Sequence, residues 1–388
     1  MKWEVVVVGA GPSGSTVATA LAQKGHDVLL LDRQDFPRDK ACGDAIPAGA
    51  TEILNKLGME QKIKQAEEDR RFYRVTGLRI VSPGGYSLDA DFLNKEIGTP
   101  TYISPRIHFD VLVQEHAIAS GATFCRAQVK EPLIDQGRVV GVRARINGSI
   151  KDIHAQLTIA ADGVTSVITR ALRPKQHVDM HRSVALRAYI DDIDELPHRI
   201  EFYLYKQILP GYAWIFPIGK NRANVGVGMR LDKFRQAESD LKDLLRLFLK
   251  MPAIQPRLER GGQLRNIKTW QLNFGSQRDL QHAYDGALLV GDAAGFINPL
   301  TGGGIENALI SSVIAANVAD RALTNGDVSQ KSLKVYEQLC NEAMWSGMHR
   351  SFLFQKWLLH PRVSFLLDLL LKRASANNSF VQTFMKKL

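Results

Sequence analysis

The chain opens with a continuous β-branched run, Val5-Val6-Val7-Val8, which predicts a strand buried on both faces. Val17, Ala18, Leu21 and Ala22 then repeat with helical period over 15–24, and Gly25 stops the helix. A second strand is predicted over 27–31, finishing in Asp32. Polar residues with Pro37 and Gly43 mark 33–44 as a loop leaving the sheet. A helix follows over 47–57, with Gly58 as its stop.

Alternation of apolar and polar positions over 72–92, around Pro83-Gly84-Gly85, predicts a hairpin. Phe109, Val111, Leu112 and Ala117 return to a helical period that ends at Gly121. A β-meander is expected over 122–156, with turns at Asp135-Gln136-Gly137 and Asn147-Gly148. Asn147-Gly148-Ser149 also matches a glycosylation sequon, but the turn explains it without a secretory context. Leu157 to Ala161 is a short buried strand closed by Asp162-Gly163. Strand-like alternation fills 180–274, interrupted by a helix over about 238–250. Ala287 to Val290 is again a buried strand, ending in Gly291-Asp292 and followed by a glycine-rich loop and a helix over 306–323. Beyond it Tyr336, Leu339, Cys340, Ala343 and Met344 keep a helical period, and a further helix over 352–359 stops at His360-Pro361.

These elements predict an α/β fold. A Rossmann-type domain is assembled from 1–71, 101–175 and 275–325; a β-rich substrate domain is inserted at 176–274, with a hairpin added by 72–100; and 326–388 is helical.

Chemistry enters at the first turn. Gly9, Gly11 and Gly14, with Pro12 and Ser13 between them, have the spacing of a dinucleotide fingerprint: one glycine for the tight turn, one for close approach of a pyrophosphate, one for helix–strand packing. Asp32 stands a little over 20 residues further on, where a ribose-binding carboxylate is expected. The fingerprint alone does not separate NAD from FAD. Two later strands also end in acids, Asp162 and Asp292, which suggests a ligand longer than a mononucleotide lying along the strand ends.

Composition narrows the partners. The 388 residues are 45% hydrophobic and 23% charged, an ordinary globular balance. A net charge of +10 suits an anionic cofactor, a diphosphate or an anionic membrane surface. The basic residues are dispersed and no nucleic-acid motif accompanies them, so nucleic acid is not an expected partner. Cys42, Cys125 and Cys340 are too far apart for a metal-ligand or redox pair, and no metal is expected. A strand beginning by residue 4 argues against a signal peptide, and a cytoplasmic location is expected. The longest apolar stretch near the end, 363–371, is too short to span a membrane and contains Asp368.

Taken together, the fingerprint, Ala161-Asp162-Gly163-Val164-Thr165-Ser166 with Arg170 behind it, and Val290-Gly291-Asp292-Ala293-Ala294 resemble the three FAD motifs of the flavoprotein hydroxylase superfamily, whose type is p-hydroxybenzoate hydroxylase. Lys40-Ala41-Cys42-Gly43-Asp44 and Pro210-Gly211-Tyr212-Ala213-Trp214-Ile215-Phe216-Pro217 are similar to two signatures of the geranylgeranyl reductase family within it. The resemblance runs from residue 1 to about 325 and weakens in the C-terminal helices.

That resemblance implies a bound FAD. Asp32, with Arg33 beside it, would meet the adenosine ribose; Gly163 and Asp162 the pyrophosphate; Arg106 the phosphate and ribityl portion; Val129 the adenine; and Asp292 the ribityl chain. Pro299, Gly302, Gly303, Gly304 and Ile305 would set backbone N–H groups and a helix N-terminus against the pyrimidine edge of the flavin. Cys42 and Gly43 would lie at the reactive face, with Cys42 a participant in proton delivery, while Tyr212, Trp214 and Phe216 would line the substrate cavity. Read without the resemblance, those three aromatics fill a sheet's core face and Cys42 is a buried thiol.

The implied reaction saturates a C=C bond of a geranylgeranyl-type chain. An isolated prenyl alkene is electron-rich and repels hydride, so one carbon must be protonated as hydride reaches the other. The site needs a dry apolar channel, aromatic faces that stabilise positive charge, and a positioned acid, which the motifs do not identify. No second nucleotide fingerprint appears, so NADPH as electron donor would bind transiently, and ferredoxin or a quinol stays open. A monooxygenase or a halogenase on the same scaffold is the alternative, although a halogenase W-x-W-x-I-P signature is not matched at 212–217. A non-catalytic flavoprotein relaying electrons is the third reading. In the tail, Trp345, Phe352, Phe354, Trp357 and Phe365 mix with His349, Arg350, Lys356, Arg373, Lys386 and Lys387. Such a mixture suits a membrane-surface helix collecting a lipid-tailed substrate, or a helical cap on the inserted domain.

Overall fold

The computed structural model describes residues 2–92, 98–175, 177–360 and 363–375. Strand β1 (Lys2–Val8), helix α1 (Pro12–Ala22) and strand β2 (Val28–Asp32) form the expected βαβ unit, with β1 and β2 parallel. Val5, Val6 and Val7 are fully buried in one core cluster with Val17 and Leu21 of α1 and with Val142, Ala144 and Ile153 from further along the chain. The helix starts at Pro12, three residues earlier than its apolar stripe suggested, since a proline in the first turn has no N–H to lose. Helix α2 (Arg106–Ala119) crosses back over the sheet and leads to strand Thr123–Arg126, which pairs in parallel with β2.

That pairing corrects the expected meander. A strand that follows a helical crossover joins the parallel sheet, and only Gln128–Asp135, Arg138–Ile146 and β3 (Ser149–Ala160) form an antiparallel run. β3 is also longer than expected: its last residues lie parallel to β1 while its first ones pair with the meander. Ala287–Leu289 completes the parallel set beside β3.

A second, seven-stranded sheet packs above the carboxyl ends of these strands. It contains β4 (Arg182–Asp191), β5 (Tyr212–Pro217) and β6 (Arg222–Arg230), flanked by Leu264–Asn273 on one side and Arg199–Tyr203 on the other. The hairpin forms between Gly77–Val81 and Ser87–Asp91 and extends this sheet through a parallel pairing with Arg199–Tyr203. Residues Tyr73–Val75 depart from the expected hairpin. At Thr76 the backbone turns to bond His198, and Tyr73–Val75 pairs instead with Thr101–Ile103 in a separate three-stranded sheet.

The last large element of the Rossmann domain is α3 (Ile305–Thr324), packed against α1. The C-terminal helix Val363–Ser375 caps the hairpin: Asp368 Oδ1 accepts from Ser82 Oγ at 2.5 Å and from the Gly84 N–H at 2.7 Å. The helix before it, Ser346–Trp357, ends short of the expected His360-Pro361 stop, of which Pro361, like Lys386 and Lys387, lies outside the described residues.

Candidate active site

One cleft of about 900 Å³ runs between the two sheets, at the upper end of ordinary ligand sites. Its floor is the turn after β1. Gly9 has φ +99, and a Cβ there would lie 2.5 Å from the Ala161 carbonyl oxygen. A Cβ on Gly14 would come within 1.7 Å of the Gly9 carbonyl oxygen, so α1 can sit this close to the strand only with glycine there. Gly9, Gly11, Pro12 and Ser13 line the cleft. Gly14 and Gly291 stand behind its wall and serve packing: a Cβ on Gly291 would meet Ser13 Oγ at 2.0 Å.

Two guanidinium groups stand over the turn. From Gly11 a Cβ would lie 3.3 Å from Arg38 Nη2 and 4.0 Å from Arg106 Nη2. Both arginines are held by Asp110, which is fully buried; Arg106 binds it through two nitrogens at 2.5 and 2.7 Å, and Arg38 at 2.9 Å. Arg38 also reaches Asp32 at 3.7 Å, and the two guanidinium groups beside an open backbone turn offer charged donors to an anion such as a pyrophosphate. At the far end of β2, Asp32 accepts from the Ala10 N–H at 2.9 Å and the Gln34 N–H at 3.0 Å, which fixes its carboxylate at the cleft. Arg33 lies exposed beside it on the rim, and Val129 forms the wall nearby.

Asp162 has a structural job that its motif did not reveal. Its Oδ2 accepts from the Val167 N–H at 3.0 Å and so caps the short helix Val167–Leu172, while its Oδ1 has no partner. Burial pushes its carboxyl up to about 6. Gly163, at φ +80, opens the backbone beside it. Asp292 is paired with Lys40 at 3.1 Å. The loop with Pro299, Gly302, Gly303, Gly304 and Ile305 closes this end of the cleft, and a Cβ on Gly304 would press to 3.1 Å from Asp292 Oδ1. The glycine cradle, the two arginines over it and the carboxylates at Asp32 and Asp292 fit an extended FAD.

Above that end lies the aromatic strand. Tyr212, Trp214 and Phe216 alternate along β5 toward the cleft, and Phe202 packs edge-on to Tyr212 and Phe216 at 5.1 and 5.2 Å. The Tyr212 hydroxyl donates to the Thr301 carbonyl, tying this wall to the glycine loop. Gly43 lies so close beneath that a Cβ would touch the Phe216 ring at 3.0 Å. Cys42 is half-buried, opening onto the cleft, and burial pushes its thiol up.

Sequence reasoning missed the polar supports of this wall. Asn224 on β6 accepts from Trp214 Nε1 at 2.8 Å and donates to the Cys42 carbonyl and to Asp44 Oδ2, both at 2.7 Å. Asp44 Oδ2 also accepts from the Tyr189 hydroxyl at 2.7 Å. Arg187, almost wholly buried on β4, holds Asp39 at 2.6 Å and stacks on Tyr189 at 4.3 Å. Asp44 was visible only as the residue after Gly43; its partners lie more than 140 positions away.

Among known proteins, the FAD binding domain family's sequence profile matches residues 2–351. A digeranylgeranylglycerophospholipid reductase of Picrophilus torridus is 33% identical over 358 residues, 88% of this chain and 84% of that protein. A second protein of that name, from Methanopyrus kandleri, is 34% identical over 351 residues, 88% and 87% of the two chains. The solved structure of a geranylgeranyl bacteriochlorophyll reductase-like protein from Thermoplasma acidophilum superposes with a TM-score of 0.83 at 28% identity, covering 96% of this chain and 91% of that one. A myxobacterial chondrochloren halogenase shares the fold, with a TM-score of 0.75 at 23% identity over 88% of this chain and 80% of that one. The chain belongs to the geranylgeranyl reductase family of FAD-binding oxidoreductases.

Proposed function

We propose that this FAD-dependent reductase saturates the C=C bonds of geranylgeranyl chains carried on a glycerophospholipid, drawing its electrons from NADPH. The observation that carries the reading is the wall of Tyr212, Trp214 and Phe216 against the Cys42-Gly43 turn, at the Asp292 end of the cleft. An apolar, aromatic slot there suits a prenyl chain and disfavours water. The glycerophospholipid is taken from the relatives of 33% and 34% identity.

In this reading Asp32 holds the adenosine ribose, Arg38 and Arg106 the pyrophosphate, Asp292 the ribityl chain, and the loop from Pro299 to Ile305 the pyrimidine edge. Reduced FAD, when bound, supplies a hydride. The aromatic faces of Trp214 and Phe216 stabilise positive charge that develops on the protonated alkene. Cys42 stands at the reacting face, and its sulfur hands a proton to one alkene carbon. The Tyr212 bond to Thr301 holds the wall at a fixed distance from the glycine loop.

Among the described residues no helix is long and apolar enough to cross a membrane. The C-terminal helices nevertheless expose Leu353, Trp357, Phe365 and Leu366, with Phe365 70% exposed, beside Lys356, Lys372 and Arg373. An apolar and basic face of this kind suits peripheral attachment to an anionic bilayer, where the substrate resides. To test the head group, the reduced protein is offered digeranylgeranylglycerophospholipid and geranylgeranyl diphosphate in separate anaerobic reactions. Saturation of the lipid at least tenfold faster supports the reading; preference for the diphosphate overturns the lipid assignment.

A further inference from the structure

The face of the second sheet that looks into the cleft carries a groove with one polar end. Across its strands Tyr212, Gly228, Ala185 and Trp270 stand side by side, and all four line the cleft. Two small residues thus lie between two aromatic walls. A Cβ on Gly226, one step nearer Asn224, would fall 2.2 Å from the Trp214 ring, so the indole already fills that space. On Gly228 it would make only ordinary contacts, 3.7 Å from Ala185 and 3.8 Å from Trp214. The groove is therefore open over Gly228 and Ala185, where an apolar chain can lie.

Side chains alternate along a strand, so the next residue of β6 on this face is Arg230. It pairs with Ser183 of β4; both line the cleft, and they are only 4% and 7% exposed. Arg230 Nε and Nη2 bind Asp232 at 2.5 and 2.8 Å, while Nη1 is buried without a partner. The Ser183 hydroxyl has only a long bond of 3.5 Å, to the Val184 carbonyl. A buried guanidinium nitrogen without an acceptor is costly, and an anion at the end of the groove would supply one.

Two further bases stand at this end. His181, two residues before Ser183, stacks on Phe352 at 4.5 Å, and Lys356 Nζ lies 5.9 Å from the centre of the same ring. Burial, with the cations of Arg230 and Lys356, brings the His181 imidazole down to about 4, so Arg230 and Lys356 carry the positive charge here.

We propose that Arg230 and Ser183 form a phosphate subsite: they hold the anionic phosphate at the head of a prenyl substrate, whose chain runs over Gly228 and Ala185 toward Cys42. This deepens the reductase reading above and rests on it. Arg230 is six residues along β6 from Asn224, which bonds the Cys42 carbonyl, and the rise of a strand makes that roughly 20 Å. A head anchored at that distance sets which double bond comes to the reacting face. Lys356 belongs to the exposed apolar and basic face of the C-terminal helices, which puts the head-group end of the groove on the side proposed to meet the bilayer.

Binding is measured first, without turnover, by calorimetric titration of the flavin-loaded protein with geranylgeranyl monophosphate and with geranylgeraniol, which lacks only the phosphate. The wild type should bind the monophosphate about tenfold more tightly or better, and Arg230→Gln should bind the two alike. Ser183→Ala leaves the Arg230–Asp232 pair intact and should lose about threefold of the preference, which decides the matter if Arg230→Gln does not fold. Equal wild-type affinity for the two ligands, or a preference that survives in every variant that folds, overturns the subsite. Gly228→Val should fill the groove and weaken both ligands by about tenfold while the thermal midpoint holds; unchanged binding overturns the path of the chain. Turnover then identifies the source of the phosphate. Arg230→Gln should raise KM by about tenfold for digeranylgeranylglycerophospholipid if the subsite serves a lipid head, and for geranylgeranyl diphosphate if it serves the free diphosphate. A KM unchanged for both overturns the subsite. If the wild type binds the monophosphate through Arg230 yet reduces neither substrate, the reductase reading fails and the phosphate subsite stands.

Discussion

The indole N–H of Trp214 donates to the Asn224 side-chain oxygen at 2.8 Å, and this single bond orients the amide that supports both Cys42 and Asp44. The aromatic strand is therefore joined to the cysteine loop by polar bonds as well as by packing. Asn224→Ala would leave the indole N–H and the Cys42 carbonyl without partners and take one of two donors from Asp44. Each buried group left unpaired costs about 1–3 kcal/mol. The predicted loss is about 3 kcal/mol or more of unfolding free energy by denaturant titration.

Gly14 lies in the first turn of α1 and Gly25 just beyond its end, yet their substitution should differ sharply. In Gly14→Ala the new methyl collides with the Gly9 carbonyl at 1.7 Å, so the helix must move off the strand and the cradle opens. The purified variant should carry little or no flavin absorbance. Gly25 has φ +91 but open space around it. Gly25→Ala should cost only about 1 kcal/mol from backbone strain and retain full flavin content.

Asp110 holds Arg38 and Arg106 beneath the cleft. Asp110→Asn removes the charge both depend on, and a broken buried pair costs about 3–5 kcal/mol. A bound pyrophosphate would restore part of that charge balance. Added FAD should therefore raise the thermal midpoint of the Asp110→Asn apoprotein by more than it raises that of the wild-type apoprotein. An equal rise in both would show that the arginines do not meet the cofactor.

The strands and their punctuation were legible because they follow local rules. Val5 to Val8 read as a buried strand, the glycine spacing gave the turn, and the resemblance joined Asp32 and Asp292 to one cofactor. What escaped was set by distant pairing. Nothing near Tyr73–Val75 shows that it leaves the hairpin for Thr101–Ile103, and nothing near Thr123–Arg126 distinguishes a sheet edge from a meander. Asn224 and Tyr189 gain meaning only when β4 and β6 bring them over Asp44. The tail carried two readings, a cap and a membrane face. Asp368 binds the hairpin turn through Ser82 and Gly84, while Phe365, three residues earlier, points outward. One helix thus accommodates a docking contact and an exposed apolar face.

Those two faces can be separated. Phe365→Glu should lower partitioning onto anionic phospholipid vesicles by about tenfold in a flotation assay, since a large exposed apolar side chain contributes roughly 1.5–3 kcal/mol when buried. It should leave the thermal midpoint unchanged. Asp368→Ala should instead speed hydrogen exchange in helix Val363–Ser375 and in the Ser82–Gly84 turn.

In the proposed reaction the cleft delivers hydride and proton to a prenyl double bond without oxygen. This is tested most directly by photoreducing the flavin-loaded protein anaerobically, adding the geranylgeranyl lipid, and following flavin absorbance and product mass together. Reoxidation is expected in the absence of O₂, with the product gaining about two mass units for each bond reduced. Reoxidation only after O₂ is admitted, with oxygen in the product, would contradict it.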